Sequence, residues 1–208
     1  MMWSEMVGEL SEPMRHPNWL IKVLLGGLLN MIPVLNWIAD GYIMRRIGLV
    51  VEGVEALPEW ENFWDLFVMG VKYTIVSVFY LIIPLAVMGL SAVFGDALAV
   101  VGMMLIIPFA FFLPMALVRL AITDTISSAL DFSDIVERIR FAFYDYTKLF
   151  AFTILIFGML SLVGGALSLT ILTILLYPFV AILSFYIMLV LAKLYATLYV
   201  EIERGVVE

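Results

Sequence analysis

VKYTIVSVFYLIIPLAVMGLSAVF, residues 71–94, carries a single charge, Lys72, near its start. A helix of about 20 mostly apolar residues is what crosses the ~30 Å hydrocarbon layer of a bilayer. Gly95–Asp96 then marks a turn, and residues 98–120 form a second apolar run with Pro108 and Pro114 inside it. A hairpin of two membrane helices is therefore expected here.

On the other side lies LPEWENFWDLFVMG, residues 57–70, which concentrates acid and indole just before the apolar run. Glu61 or Asn62 can cap a helix, and acids in a first turn suit its dipole. Phe63, Phe67, Gly70 and Val71 share one helical face. Trp60 and Trp64 favour the headgroup level. The stretch reads as an amphipathic elbow lying at the interface. Residues 131–148 repeat the device, with Phe132, Ile135, Ile139 and Phe143 on one face.

The rest of the chain fits this frame. Residues 19–31 are apolar but short, Pro33 follows, and residues 34–51 are apolar apart from Asn36, Asp40, Arg45 and Arg46. Residues 149–163 are apolar, Gly164–Gly165 interrupts, and residues 167–192 form the last run. About six membrane helices are expected, the first being short. Of the 208 residues 64% are hydrophobic and 14% charged, against about half and about a quarter in soluble domains. Mean hydropathy is +1.12. One all-α, polytopic membrane domain over 1–208 is expected, and no soluble domain.

The eleven bases sort to one side of such a chain. They are Arg15, Lys22, Arg45, Arg46, Lys72, Arg119, Arg138, Arg140, Lys148, Lys193 and Arg204. The opposite connections, residues 31–36, 91–97 and 161–170, hold one charge, Asp96. The positive-inside rule then puts both termini in the cytoplasm of a cell membrane. No secretory signal is expected, because Glu5, Glu9 and Glu12 stand where a basic n-region would be.

Three hairpins in series are expected, at about 17–53, 58–122 and 131–200. Glu59, Trp60, Asn62, Phe63 and Asp65 face Asp131, Phe132, Asp134, Ile135 and Glu137 at a constant offset. Each return helix carries a proline (Pro33, Pro108, Pro178) and ends in a base (Arg45–Arg46, Arg119, Lys193). Such internal repeats decide how a fold is read.

Few residues suggest chemistry. Asp40 stands in an apolar run where a charge is costly, with Asn30 and Asn36 flanking the proline turn and Arg45 and Arg46 beyond it. It reads either as part of a polar site for an ion or headgroup, or as an interfacial acid paired with an arginine. Arg45, Arg46 and Arg119 could hold a headgroup phosphate. The intramembrane prolines, Pro114 included, are hinges or static kinks. Ser161, Gly164, Gly165 and Ser168 allow close helix approach, within the chain in preference to between chains. Tyr177, Tyr186, Tyr195 and Tyr199 fit core or belt packing as well as a pore lining, and His16 reads as a turn residue at the interface. With no cysteine and one histidine, disulfides, thiolate sites and histidine metal clusters are excluded. The net charge of −7 argues against nucleic acid. No catalytic motif and no cofactor site is found.

Residues 28–42, LLNMIPVLNWIADGY, followed by Arg45–Arg46, Leu57-Pro58-Glu59, residues 64–67 and Gly70, resemble the archaeal membrane proteins gathered as domain of unknown function 4013. The resemblance spans most of the chain. It implies an archaeal plasma membrane and several helices, and carries no mechanism. Three functional expectations stand: a non-enzymatic scaffold or complex subunit in the lipid bilayer, alone or as a homo-oligomer, with the acidic elbows toward a partner; an oligomeric channel or transporter near Asp40; or a lipid-headgroup binder.

Overall fold

The computed structural model describes residues 3–168 and 173–205. Its helices are α1 (Trp3–Glu9), α2 (Trp19–Asn30), α3 (Asn36–Val51), α4 (Phe63–Phe94), α5 (Ala97–Ala110), α6 (Leu113–Thr123), α7 (Ile126–Ala129), α8 (Phe132–Phe141), α9 (Phe143–Ser168) and α10 (Thr173–Arg204). A 3-10 turn covers Glu12–Arg15, and no strand occurs among the described residues.

Helices α4, α9 and α10 are long and apolar enough to cross a membrane, and α5 with α6 is apolar and long enough only as a pair, bent by 46°, which is the form of a broken span or a re-entrant loop. The first hairpin falls short of the two spans expected of it. Helix α2 has 12 residues and α3 has 16, which gives about 18 and 24 Å at 1.5 Å per residue. The described helices thus supply three spans, or four with the bent pair, where six were expected.

Helix α3 is the hub, packed against α2, α4, α6 and α10. Glycine makes its closest crossing possible. A Cβ on Gly41 would sit 1.9 Å from the Leu66 carbonyl oxygen, and one on Gly70 1.7 Å from that of Trp37. The two helices therefore run antiparallel with their backbones in contact, the approach that small residues permit. Gly26 and Gly27 do the same for α2 on α10, against Phe185 and Ile182. Gly102 seats α5 against Met88 and Pro84 of α4.

The face of α4 turned inward is Leu66, Gly70, Val76, Tyr80 and Pro84. Of the face expected from the sequence only Gly70 is buried, and Phe63 is exposed. The first elbow is not helical before Phe63. Residues 57–62 are irregular, and Asn62 starts α4 from a left-handed conformation (φ 53°) with no side-chain cap bond. The cause is local: side chains of α2 and α3 draw the carbonyls of this loop away from helical partners.

The second elbow does form a helix. The Asp131 carboxylate accepts from the Asp134 backbone N–H at 3.2 Å and caps α8. Its isoleucines turn toward protein: Ile135 and Ile139 are buried, while Phe132, Phe141 and Phe143 are exposed. The chain breaks at Ala142 before α9 begins.

The expected break at Gly164–Gly165 does not occur, because α9 continues through both to Ser168. Residues 169–172, and the side chain of Ser168, lie outside the described residues. A Cβ on Gly164 would meet nothing within 4 Å, so no close approach among the described residues uses it. The α5–α6 break falls at Phe111–Phe112, between Pro108 and Pro114. The freed Phe111 carbonyl accepts the Tyr146 hydroxyl at 2.5 Å. Non-helical backbone at membrane depth needs such a partner.

Candidate functional site

Arg46 is the centre of the densest polar cluster. It lies on the last turns of α3 with no exposed surface. Its Nη2 donates to Glu12 Oε1 at 2.6 Å, and its Nη1 to the carbonyls of Glu55 at 2.5 Å and Ala56 at 2.9 Å. Glu12 also receives His16 Nε2 at 2.9 Å and has Lys193 Nζ at 3.5 Å. Lys193 pairs with Glu9 at 2.6 Å, and the Tyr186 hydroxyl donates to the Leu10 carbonyl. The N-terminal segment is thereby fastened across α3 and α10.

The loop 52–62 is held from the other side. Lys22 Nζ donates to the Leu57 carbonyl at 3.0 Å and to Glu59 Oε1 at 2.7 Å. The Tyr42 hydroxyl donates to the Pro58 carbonyl at 2.6 Å, and Arg45 Nη1 to that of Glu61 at 2.8 Å. Trp60 stacks on Tyr42 with ring centroids 4.0 Å apart, and its indole N–H donates to the Lys22 carbonyl at 3.2 Å. Trp60 is thus half-buried against protein. Trp64 is exposed, and Phe67 packs between it and Trp37.

A second cluster ties α6, α8 and α10 together. Arg119 Nε lies 2.9 Å from Asp134 Oδ2, and its Nη1 donates to the Tyr199 hydroxyl at 3.2 Å. Arg138 donates to both Asp134 oxygens, at 3.0 and 2.9 Å, and also pairs with Glu203. Burial alone would raise the Asp134 carboxyl, but the two guanidiniums outweigh it and hold it below the usual carboxylate range. Both clusters convert cationic side chains into ties between segments distant in sequence.

The residues predicted as one polar site are not brought together. Asn30 and Asn36 stand at the two ends of the α2–α3 turn. Arg45 and Arg46 point to the loop and to Glu12. Asp40 is 8% exposed, and among the described residues no lysine or arginine comes within ion-pair distance of it. The expectation that an arginine pairs with Asp40 is therefore not met. Of the headgroup candidates, Arg46 is enclosed, Arg119 is tied to Asp134, and Arg45 is turned to a carbonyl. Glu12, Lys22, Tyr42 and Lys193 were missed as partners. The one available signal was the acidic N-terminal stretch, Glu5 to Glu12, in a chain whose bases Lys22, Arg45 and Arg46 stand inside apolar runs.

A family model described as protein of unknown function (DUF4013) matches residues 25–169. The chain belongs to this family. The DUF4013 match takes in Asp40, Arg45, Arg46, Arg119 and loop 52–62. It leaves out Glu9, Glu12, Lys22 and all of α10, so Arg46–Glu12, Lys22–Glu59 and Arg138–Glu203 join the matched stretch to the flanking segments, and Lys193–Glu9 joins the two flanks to one another. No curated protein and no solved structure matches the chain.

Proposed function

We propose that this DUF4013 protein is a non-catalytic, multi-pass component of the cell membrane, acting as a scaffold or as a subunit of a larger membrane assembly. The observation that carries this reading is the use of the interior bases: Arg46, Lys22, Arg119 and Lys193 each close onto an acid of another segment. Groups committed in this way build a rigid end to the bundle. Glu52, Glu55, Glu61 and Asp65 are exposed around the loop so formed, and their carboxylates are free to meet a basic partner. In this reading the charged end and both termini are cytoplasmic. The first hairpin enters the bilayer and returns, and the spans follow from α4 onward. A re-entrant first hairpin leaves the one-sided placement of the bases unchanged, because it returns to the side from which it came.

The test is purification from native membranes in mild detergent, with cross-linking read by mass spectrometry. A stoichiometric partner, or a second copy, cross-linked near residues 52–65 and lost on Glu52→Lys/Glu55→Lys/Glu61→Lys is the expected result. Recovery of the chain alone overturns the reading. A second reading, transport past Asp40, draws on the burial of that acid without a base. It predicts flux in liposomes that Asp40→Asn abolishes, and flux that is absent or indifferent to the change removes it.

A further inference from the structure

We propose that the cavity at the meeting of α3, α4, α6, α9 and α10 binds one hydrocarbon tail of a membrane lipid. The cavity has a volume of about 310 Å³ and is partly open. Its walls include Ile43, Met44, Leu117, Phe150, Phe157 and Met188. An apolar cavity of about 150 Å³ stays dry and accepts benzene. Twice that volume accommodates a chain of roughly a dozen carbons on the same scale.

Polar solutes find little to bind. Tyr195 and Thr153 bring their hydroxyls to 3.0 Å of one another in the wall, and Thr153 Oγ1 donates to the Leu149 carbonyl at 2.9 Å. The Thr153 hydroxyl is thus satisfied as donor and as acceptor, and the pair places no demand on a guest. The cavity is kept open by the fold. Ala110, Leu113 and Pro114 line it on either side of the α5–α6 break, and the Tyr146 bond to the Phe111 carbonyl holds that break in place. Ala110 and Ala192 are small where a larger side chain would fill the space. Depth identifies the guest. Tyr73 follows Lys72, and the α10 wall from Met188 to Tyr195 brackets Lys193. The cavity therefore lies just inside the charged end, at the level of the first methylenes of that leaflet.

The experiment uses the full chain in phosphatidylcholine vesicles whose lipid carries a diazirine in mid-tail. Photolabelling is expected at Met44 and Met188 as well as at outward residues such as Val93. Ala192→Phe and, independently, Ala110→Leu should lower labelling of Met188 by about tenfold, the equivalent of 1.4 kcal/mol, and leave Val93 unchanged. Native mass spectrometry of the unmodified chain, after exhaustive detergent exchange, should retain one lipid. Labelling confined to outward positions, indifference to both variants, or a spectrum with no retained lipid overturns the proposal.

Discussion

Gly41 and Gly158 are both glycines in apolar helices, and they live in different surroundings. At Gly41 the backbone of α4 stands where a side chain would be, whereas at Gly158 nothing lies within 4 Å. The same contrast separates the base of the bundle from its arms. Around α3 the helices interlock through Gly26, Gly27, Gly41 and Gly70. Along the outer parts of α4, α5 and α9, side chains such as Val93, Met104 and Leu162 are more than 70% exposed. Apolar composition therefore serves two ends in one chain. At the base it packs protein on protein, and on the arms it meets the surrounding phase, which several long apolar helices make compatible with lipid.

The contrast breaks first at the glycines. Gly70→Leu must separate α3 from α4, because its Cβ would lie 1.7 Å from a backbone oxygen that cannot swing aside. A loss of at least about 4 kcal/mol is expected, at the extreme of overpacking effects, and would be read as disappearance of the monodisperse peak on size exclusion. Gly158→Leu should stay within about 0.5 kcal/mol. Equal behaviour of the two variants would show that the α3–α4 crossing is not formed.

Buried charge comes next. Glu12→Ala leaves Arg46 enclosed with only carbonyl partners, and removing one member of a buried pair costs about 3–5 kcal/mol. Replacing both, as Glu12→Leu with Arg46→Met, should recover part of that loss. A double-mutant cycle of unfolding in mixed micelles measures the coupling, and additive losses would mean that the ion pair is not made. Tyr146→Phe is the next smaller change. It strands the Phe111 carbonyl at the α5–α6 break, and a buried acceptor left unbonded costs about 1–3 kcal/mol. Thermal unfolding of the pure variant reads it, and a change near zero would mean that the kink satisfies itself.

Acid should act mainly at the second cluster. The folded Asp134 carboxyl is held below its ordinary value by Arg138 and Arg119, so the folded state binds fewer protons than the unfolded one. Its contribution is complete above the unfolded pKa of about 4 and is lost as pH falls through the folded value. Stability of the parent chain should decline in that window, and Asp134→Asn should flatten the decline. An unchanged acid slope would place the titrating group elsewhere.

What the sequence disclosed follows from the range of each signal. The long apolar runs and the Gly95 turn depend on neighbours within a few residues, and they were legible, whereas the Asp131 cap of α8 was not singled out. Apart from Gly70 the inward face of α4 was not legible, because Leu66 meets α3 and the Tyr80 hydroxyl donates to the Ala129 carbonyl of α7, partners distant along the chain. Gly41 and Gly158 look alike in a string and differ only in what stands opposite them. The shortness of the first hairpin was visible in the apolar run of residues 19–31 that ends before Pro33, but the role of α3 as the hub was not. For the candidate site, Asp40 was rightly seen as a carboxylate in an apolar run. Arg46, one of its two expected partners, is instead paired with Glu12, an acid of a segment distant in sequence.

The smallest effect separates exposed from enclosed ties. Lys72 Nζ pairs with Asp124 Oδ1 at 2.7 Å, and donates to the Asp124 carbonyl at 2.9 Å, joining the start of α4 to the end of α6. The Asp124 side chain is 65% exposed, and water competes for it as it cannot compete for Glu12. Exposed pairs of this kind contribute roughly 0.2–1 kcal/mol. Lys72→Met should therefore cost no more than that, and the cost should shrink as salt is raised from low to physiological strength, where screening acts within about 8–10 Å. The loss from Glu12→Ala should barely respond to the same salt. Two ion pairs of nearly equal length would then differ in strength and in salt response through burial alone, and a common salt dependence would mean that the Arg46 cluster is open to water.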